Sequence, residues 1–144
     1  MFDDEDLFKR VHHVAYTVDD LDRYRPFFED ALGMSFVAHR EMPDAGYDAA
    51  VFEVGETYIE VQLPRGHPEI EEFHETHGNG LNHVAYEVDD MDEAVAALAE
   101  RGIEPAWDEP IIAPTFPDCK LLDMDEETSE GIYLQLVEEI ADES

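Results

Sequence analysis

The sequence predicts an α+β fold built from two tandem βαβββ modules that curl around one shared half-barrel cavity. Three observations carry that prediction. The strand-like phrase His13-Val14-Ala15-Tyr16-Thr17-Val18-Asp19-Asp20 returns seventy residues later as His83-Val84-Ala85-Tyr86-Glu87-Val88-Asp89-Asp90, identical at seven of eight positions. Each copy runs into an acidic turn and then a periodic apolar stretch closed by a glycine, Gly33 in the first and Gly102 in the second. Each copy also ends on a matching strand, Tyr58-Ile59-Glu60-Val61 lying over Tyr133-Leu134-Gln135-Leu136. Repeated supersecondary units bury together the faces that neither can bury alone.

The elements follow in order. Residues 11–18 alternate as a strand does, with Val14, Tyr16 and Val18 on one face and His13, Ala15 and Thr17 on the other. Asp19-Asp20-Leu21-Asp22 supplies an N-cap and an acidic first turn, which predicts a helix running to Leu32. Three short apolar stretches near 34–40, 47–54 and 57–63, broken by Pro43, Gly46 and Gly55, complete the first module as strands. The connection opens with Pro64-Arg65-Gly66-His67-Pro68, allows a short helix over 69–77 and leads through Gly78-Asn79-Gly80 into the second copy. There Asp89-Asp90-Met91-Asp92 opens a helix through Leu98 and Arg101, and strands are expected near 103–107, 119–124 and 131–137. The whole chain, 1–144, reads as a single domain: module 1 over about 11–64, a connection over 65–80 and module 2 over about 81–138. Four twisted strands do not close alone, so each module is expected to form half of the barrel.

Charge narrows the function. Thirty-eight acidic side chains against eight basic ones give a formal charge of −30, yet 44% of the residues are apolar and regularly placed. The acids fall between apolar positions and form a solvated coat rather than a disordered chain. Their mutual repulsion is relieved by molar salt, which points to a halophilic source. No basic run exceeds Lys9-Arg10, so nucleic acid and anionic membrane surfaces are excluded as partners. No apolar run approaches the ~20 residues of a spanning helix, and the acidic start MFDDEDLFKR is unlike a signal peptide, so a cytoplasmic location is expected. Cys119 stands alone, which excludes an internal disulfide and a cysteine-based zinc site and reads as a small, partly buried side chain.

The repeat also places chemistry. His13 and His83 are equivalent, and so are Glu60 and Gln135. Parity puts Glu60 on the face of Tyr58 and Gln62, opposite Ile59, Val61 and Leu63. Two imidazoles, one carboxylate and one amide oxygen then converge on a divalent metal ion (Zn, Ni, Co, Mn or Fe), with one or two positions left for water or substrate. A single histidine at the start of a strand is usually structural; two at matched repeat positions, each with a polar residue on an otherwise apolar last strand, favour ligands. His12 aligns with Asn82 and reads as a surface or supporting residue, and His39, His67, His74 and His77 read as solvated.

These residues resemble a known superfamily. HHVAYTVDD, NHVAYEVDD, the Leu-Gly after the first helix, YIEVQLP and IYLQLVE are similar to the vicinal oxygen chelate (glyoxalase/bleomycin resistance/dioxygenase) superfamily over residues 11–138. GNGLNHVAYEVDDMDEAVAALAERGI is similar in texture to its methylmalonyl-CoA epimerase and glyoxalase I branches. The resemblance implies metal ligands at His13, Glu60, His83 and Gln135, a small-molecule carbonyl or thioester as substrate, and a homodimer. It also marks departures. The family's usual second-module glutamate, a ligand and a base, is here Gln135; the epimerase's other base falls at or near Ala49, with Asp48 of opposite parity; and Leu121-Leu122-Asp123-Met124-Asp125 replaces a His-Pro-Lys-like segment. Glu60 remains the one ligand carboxylate, and the resemblance implies it as the catalytic base. A single base suits a glyoxalase-like lyase or isomerase step, proton transfer α to a carbonyl through an enolate, better than two-base epimerisation. A non-haem Fe(II) dioxygenase-like enzyme and a non-catalytic small-molecule binding or resistance protein are the alternatives. Of the few cations available to an anionic substrate, Arg40, Arg65 and Lys120 are the candidates.

Overall fold

The computed structural model describes residues 7–140, which pack as two compact units, one of residues 13–83 and one of 7–12 with 84–140. In the first, β1 (Arg10–Thr17) contributes from His13 onward, followed by α1 (Leu21–Pro26), β2 (Ser35–Met42), β3 (Tyr47–Val54), β4 (Thr57–Pro64) and α2 (Pro68–His77). β1 runs parallel to β4, β4 pairs antiparallel with β3, and β3 with β2, so the spatial order is β2-β3-β4-β1.

The second unit repeats this plan. β5 (Gly80–Glu87) enters it at Val84, then come α3 (Met91–Ala99), β6 (Ile111–Ile112), β7 (Cys119–Asp123) and β8 (Leu134–Glu139). β5 is parallel to β8, β8 antiparallel to β7 and β7 to β6, the same order as β1, β4, β3 and β2. The α+β class and the twice-used βαβββ topology are as the repeat predicts. Among the described residues no helix is long and apolar enough to cross a membrane.

Both helices start as their sequences direct. Asp20 and Asp90 are extended N-caps whose side chains accept from the backbone N–H of Arg23 and Glu93, each cap stabilising its helix by about 1 kcal/mol. α1 then departs from the expected continuous helix. Pro26 has no N–H to return to the preceding turn, and Phe27–Ala31 widen into one π-helical turn in which Leu32 N–H bonds to Phe27 C=O. Phe28 from that turn joins Val18, Leu21, Ala50, Phe52, Ile59 and Val61 in the core of the first unit. Val88, Met91, Leu98, Leu122, Met124 and Leu136 make the matching core of the second.

Two further expectations change. A strand at 103–107 is absent: Pro105 makes a single bridge to Met124, and the outer strand is the shorter Ile111–Ile112. Pro105 and Pro110 each lack a ladder donor, and the chain between them bends. The helix expected over 69–77 forms one residue earlier, because Pro68 suits the first helical position and His67 Nδ1 caps the N–H of Ile70. Its start is tied to the β2–β3 turn through Gly46, whose C=O accepts from Arg65 and His67 N–H. At φ +88° and with the His67 nitrogen 2.8 Å from any Cβ, that turn requires glycine.

Candidate metal centre

Strand register decides what each face of the first sheet carries. Tyr58, Glu60 and Gln62 lie opposite His13, Ala15 and Thr17 on one side, and Val51 and Ala49 lie opposite Glu60 and Gln62 on the other. Directly opposed residues share a face, so these side chains stand together. The other face carries the apolar core beneath α1. Asp48 lies opposite Leu63 instead, and its carboxylate is held by Arg65 Nε at 2.6 Å. Ala49, not Asp48, is therefore the β3 side chain beside Gln62.

On the polar face His13, Glu60 and His83 come together, 1%, 2% and 7% exposed. One donor atom from each lies within 4.8 Å of the others. His13 Nε2 is 3.6 Å from Glu60 Oε1, and the two imidazole rings meet edge to face with centroids 5.7 Å apart. Donors sharing one ion at about 2.1 Å lie roughly 3 to 3.5 Å apart, so the cluster is close to the size an ion gathers. The donor chemistry fits as well: two neutral imidazoles and a carboxylate are the mixed nitrogen and oxygen set of Zn, Mn, Fe, Co and Ni. An ionised carboxylate this buried is stabilised by a nearby positive charge or by hydrogen-bond donors, and a bound cation would supply the first.

Asn82 supports the cluster, and the sequence reading missed it. Its Oδ1 lies 3.0 Å from His83 Nδ1 and its Nδ2 donates to Thr17 Oγ1 at 3.0 Å. The first bond places the imidazole proton on Nδ1 and leaves the Nε2 lone pair for a ligand. The one available signal was the residue preceding each repeated histidine. Gln62, one row along β4 from Glu60, is 5% exposed and its amide oxygen has no hydrogen-bond partner among the described residues. Leaving such a group unpaired costs about 1–3 kcal/mol.

Gln135 lies in the second unit. Register puts it opposite Ala85, as Glu60 is opposite Ala15, so the two are equivalent within their modules. It is buried, and its Nε2 donates to Asp123 Oδ1 at 2.9 Å while Tyr133 Oη donates to Asp123 Oδ2 at 3.0 Å. With the amide nitrogen held, the amide oxygen is turned away from Asp123.

His12 is not at the surface. It is 1% exposed, edge-on to Phe116 and 3.6 Å from the Cys119 sulfur. Burial first, then the Arg10 charge, push its pKa down to about 4, so it is a neutral core residue. Burial, followed by the charge of Asp118, pushes the Cys119 thiol up to about 12. Such a thiol is no nucleophile at neutral pH. Of the other histidines, His39 and His77 are exposed, whereas His67 caps α2 and His74 Nε2 meets Asn79 Oδ1 at 2.7 Å. Arg65 and Lys120 are engaged by Asp48 and Glu138; Arg40 has no carboxylate partner among the described residues.

Residues 12–121 match the family described as the glyoxalase/bleomycin resistance protein/dioxygenase superfamily. The chain is similar to the mitochondrial methylmalonyl-CoA epimerase of Bos taurus, 31% identical over 96 residues that make up 65% of this chain and 55% of that protein. It is also similar to a lactoylglutathione lyase of Haemophilus influenzae, 30% identical over 95 residues, 65% of this chain and 68% of that one. The chain thus spans little more than half the length of the mammalian relatives it matches. A crystal structure of a methylmalonyl-CoA epimerase superposes with a TM-score of 0.83 at 27% identity, covering 94% of this chain and 99% of the other.

Proposed function

The chain belongs to the glyoxalase/bleomycin resistance protein/dioxygenase superfamily, and we propose that it is a divalent-metal-dependent isomerase or lyase that moves a proton α to a carbonyl. The observation that carries this reading is the buried His13–Glu60–His83 cluster. In it these three side chains would hold the ion. When bound, such an ion polarises the carbonyl oxygen of a small carbonyl or thioester substrate. With Glu60 as the one carboxylate of the cluster, the centre would carry a charge of about +1, which favours that polarisation.

Glu60 is the base. It takes the proton from the carbon next to the carbonyl; the C–H electron pair becomes the carbon–carbon double bond of an enolate, and the carbonyl pair moves to oxygen. Where the donor carbon carries a hydroxyl, the carboxylic acid returns its proton to the former carbonyl carbon on the same side, the hydroxyl proton passes to the enolate oxygen, and the donor carbon becomes the new carbonyl. Epimerisation would need a second acid on the opposite side. Ala49 has no proton to give there, and Asp48 faces away and is paired with Arg65.

The test is α-hydrogen exchange in D2O, followed by NMR, with metal-loaded protein and a panel of 2-oxoaldehyde hemithioacetals and α-branched acyl thioesters. Glu60→Gln is expected to keep the metal and lose at least about 10²-fold in exchange rate, the usual worth of a general base. Exchange at the wild-type rate in that variant removes Glu60 from the role. A second reading has one observation in its favour, since two histidines and one carboxylate also compose the ligand set of non-haem Fe(II) oxygenases. Oxygen uptake by the Fe(II)-loaded protein with catechols, without α-exchange, would establish it instead.

A further inference from the structure

The repeated phrase HVAYxVDD breaks at one position, Thr17 in the first copy and Glu87 in the second. Glu87 is held by Arg10 and Lys9. Thr17 is fully buried, and its Oγ1 accepts from Nδ2 of Asn82, the residue whose Oδ1 meets His83 Nδ1. Across β1 and β4 Thr17 stands directly opposite Gln62, whose buried amide oxygen has no hydrogen-bond partner among the described residues. A hydroxyl that accepts from Asn82 still has its own proton to give, and the Gln62 oxygen can only accept. Neighbouring strands lie about 4.8 Å apart and the last torsion of a glutamine is broad, so this donor and this acceptor are within reach of each other.

We propose that Gln62 and Thr17 are positioning residues that set which nitrogen of His83 carries the proton, through the relay Gln62–Thr17–Asn82–His83. Asn82 alone does not set it. Turned end for end, its amide would donate from Nδ2 to His83 Nδ1 and accept from Thr17 through Oδ1, with both hydrogen bonds kept and the His83 proton moved to Nε2. The Thr17 hydroxyl is equally two-sided, since it donates and accepts. Gln62 gives the relay its sense, because the end of its amide that is buried without a partner is the oxygen. Once Thr17 donates to that oxygen, it accepts from Asn82 Nδ2, Oδ1 faces His83, and the proton lies on Nδ1. The reversed relay leaves the Gln62 oxygen buried and unpaired, which favours the forward sense by about tenfold or more. The use of that sense rests on His83 being a metal ligand through Nε2, whereas the relay itself needs no ion.

NMR of the metal-free full chain with 15N-labelled histidine rings tests this above about pH 9, where imidazole is neutral. The His83 signals are identified by their loss in His83→Gln. Wild type is expected to hold Nδ1–H over Nε2–H by about tenfold. Gln62→Met keeps the length and loses the acceptor, and it should bring that ratio to about one or below; Thr17→Val should do the same. Thr17→Ser and Gln62→Glu keep the hydroxyl and the acceptor and should hold the wild-type ratio. Zinc affinity, read by chelator competition, should fall only about twofold in Gln62→Met, because half of the population still presents the lone pair. A role in packing alone would lower the melting temperature of Gln62→Met and Thr17→Val without moving the ratio, and that result overturns the relay. A wild-type ratio near one overturns it as well. A wild type that shows the expected ratio and binds no zinc keeps the relay and overturns the ligand reading of His83.

Discussion

Replacing Asn82 by alanine should weaken metal binding without touching a ligand. The substitution deletes the acceptor 3.0 Å from His83 Nδ1 and the donor 3.0 Å from Thr17 Oγ1. His83 is then free to place its proton on either nitrogen and to rotate, so part of its population presents N–H where a lone pair is needed. Loss of such a supporting bond usually costs about 10–100-fold in metal affinity, equal to roughly 1.4–2.7 kcal/mol. The two lost hydrogen bonds also lower the stability of the metal-free protein by about 1 kcal/mol each. These effects separate experimentally, since chelator competition reads the affinity and thermal unfolding without metal reads the stability. Asn82→Asp is the discriminating control. Its carboxylate still accepts from His83 Nδ1–H, so affinity should return to within a few-fold of wild type, although the donor to Thr17 is gone. Binding by Asn82→Ala within about twofold of wild type would refute the argument, because the supporting bond would then be worth less than half a kcal/mol.

The buried thiol and the acidic coat yield the other expectations. Cys119 should be inert to an aromatic disulfide reagent at pH 8 in the native state and react fully once unfolded, since it is 1% exposed and its pKa is pushed up to about 12. Because the folded value lies above the unfolded one, native stability is intact below about pH 9 and is lost as pH rises from there towards 12; Cys119→Ala should flatten that alkaline slope in urea titrations, and an unchanged slope would locate the effect elsewhere. With a net charge of −30, the unfolding midpoint should rise steadily as KCl increases to molar levels, where the screening length falls to about 3 Å. Choline chloride at equal ionic strength should reproduce most of the gain if screening is the cause, and failure to do so would indicate specific cation binding.

Some of this molecule was legible because it depends on short-range rules. The strand period of two assigned faces to His13 and Glu60, and the repeated HVAYxVDD phrase placed His83 where His13 stands. The acidic caps at Asp20 and Asp90 started both helices as expected. The expectation of a continuous first helix failed at a single residue, Pro26, whose missing N–H forced the π-helical turn. The outer strand of the second module was misplaced because the apolar residues at 103–107 pack against α3 rather than pairing along their length.

The sequence by itself determined the twice-used βαβββ plan and the histidine–carboxylate positions, since both follow from patterns that repeat at fixed intervals. Only the tertiary structure decided which polar side chain satisfies which. It seated Asn82 between His83 and Thr17, buried His12 beside Cys119, gave Asp48 to Arg65, and left the buried Gln62 amide oxygen without a hydrogen-bond partner among the described residues. Contacts such as Asn82 to Thr17, His12 to Cys119 and Asp48 to Arg65 join residues distant in the chain, and no local period encodes them.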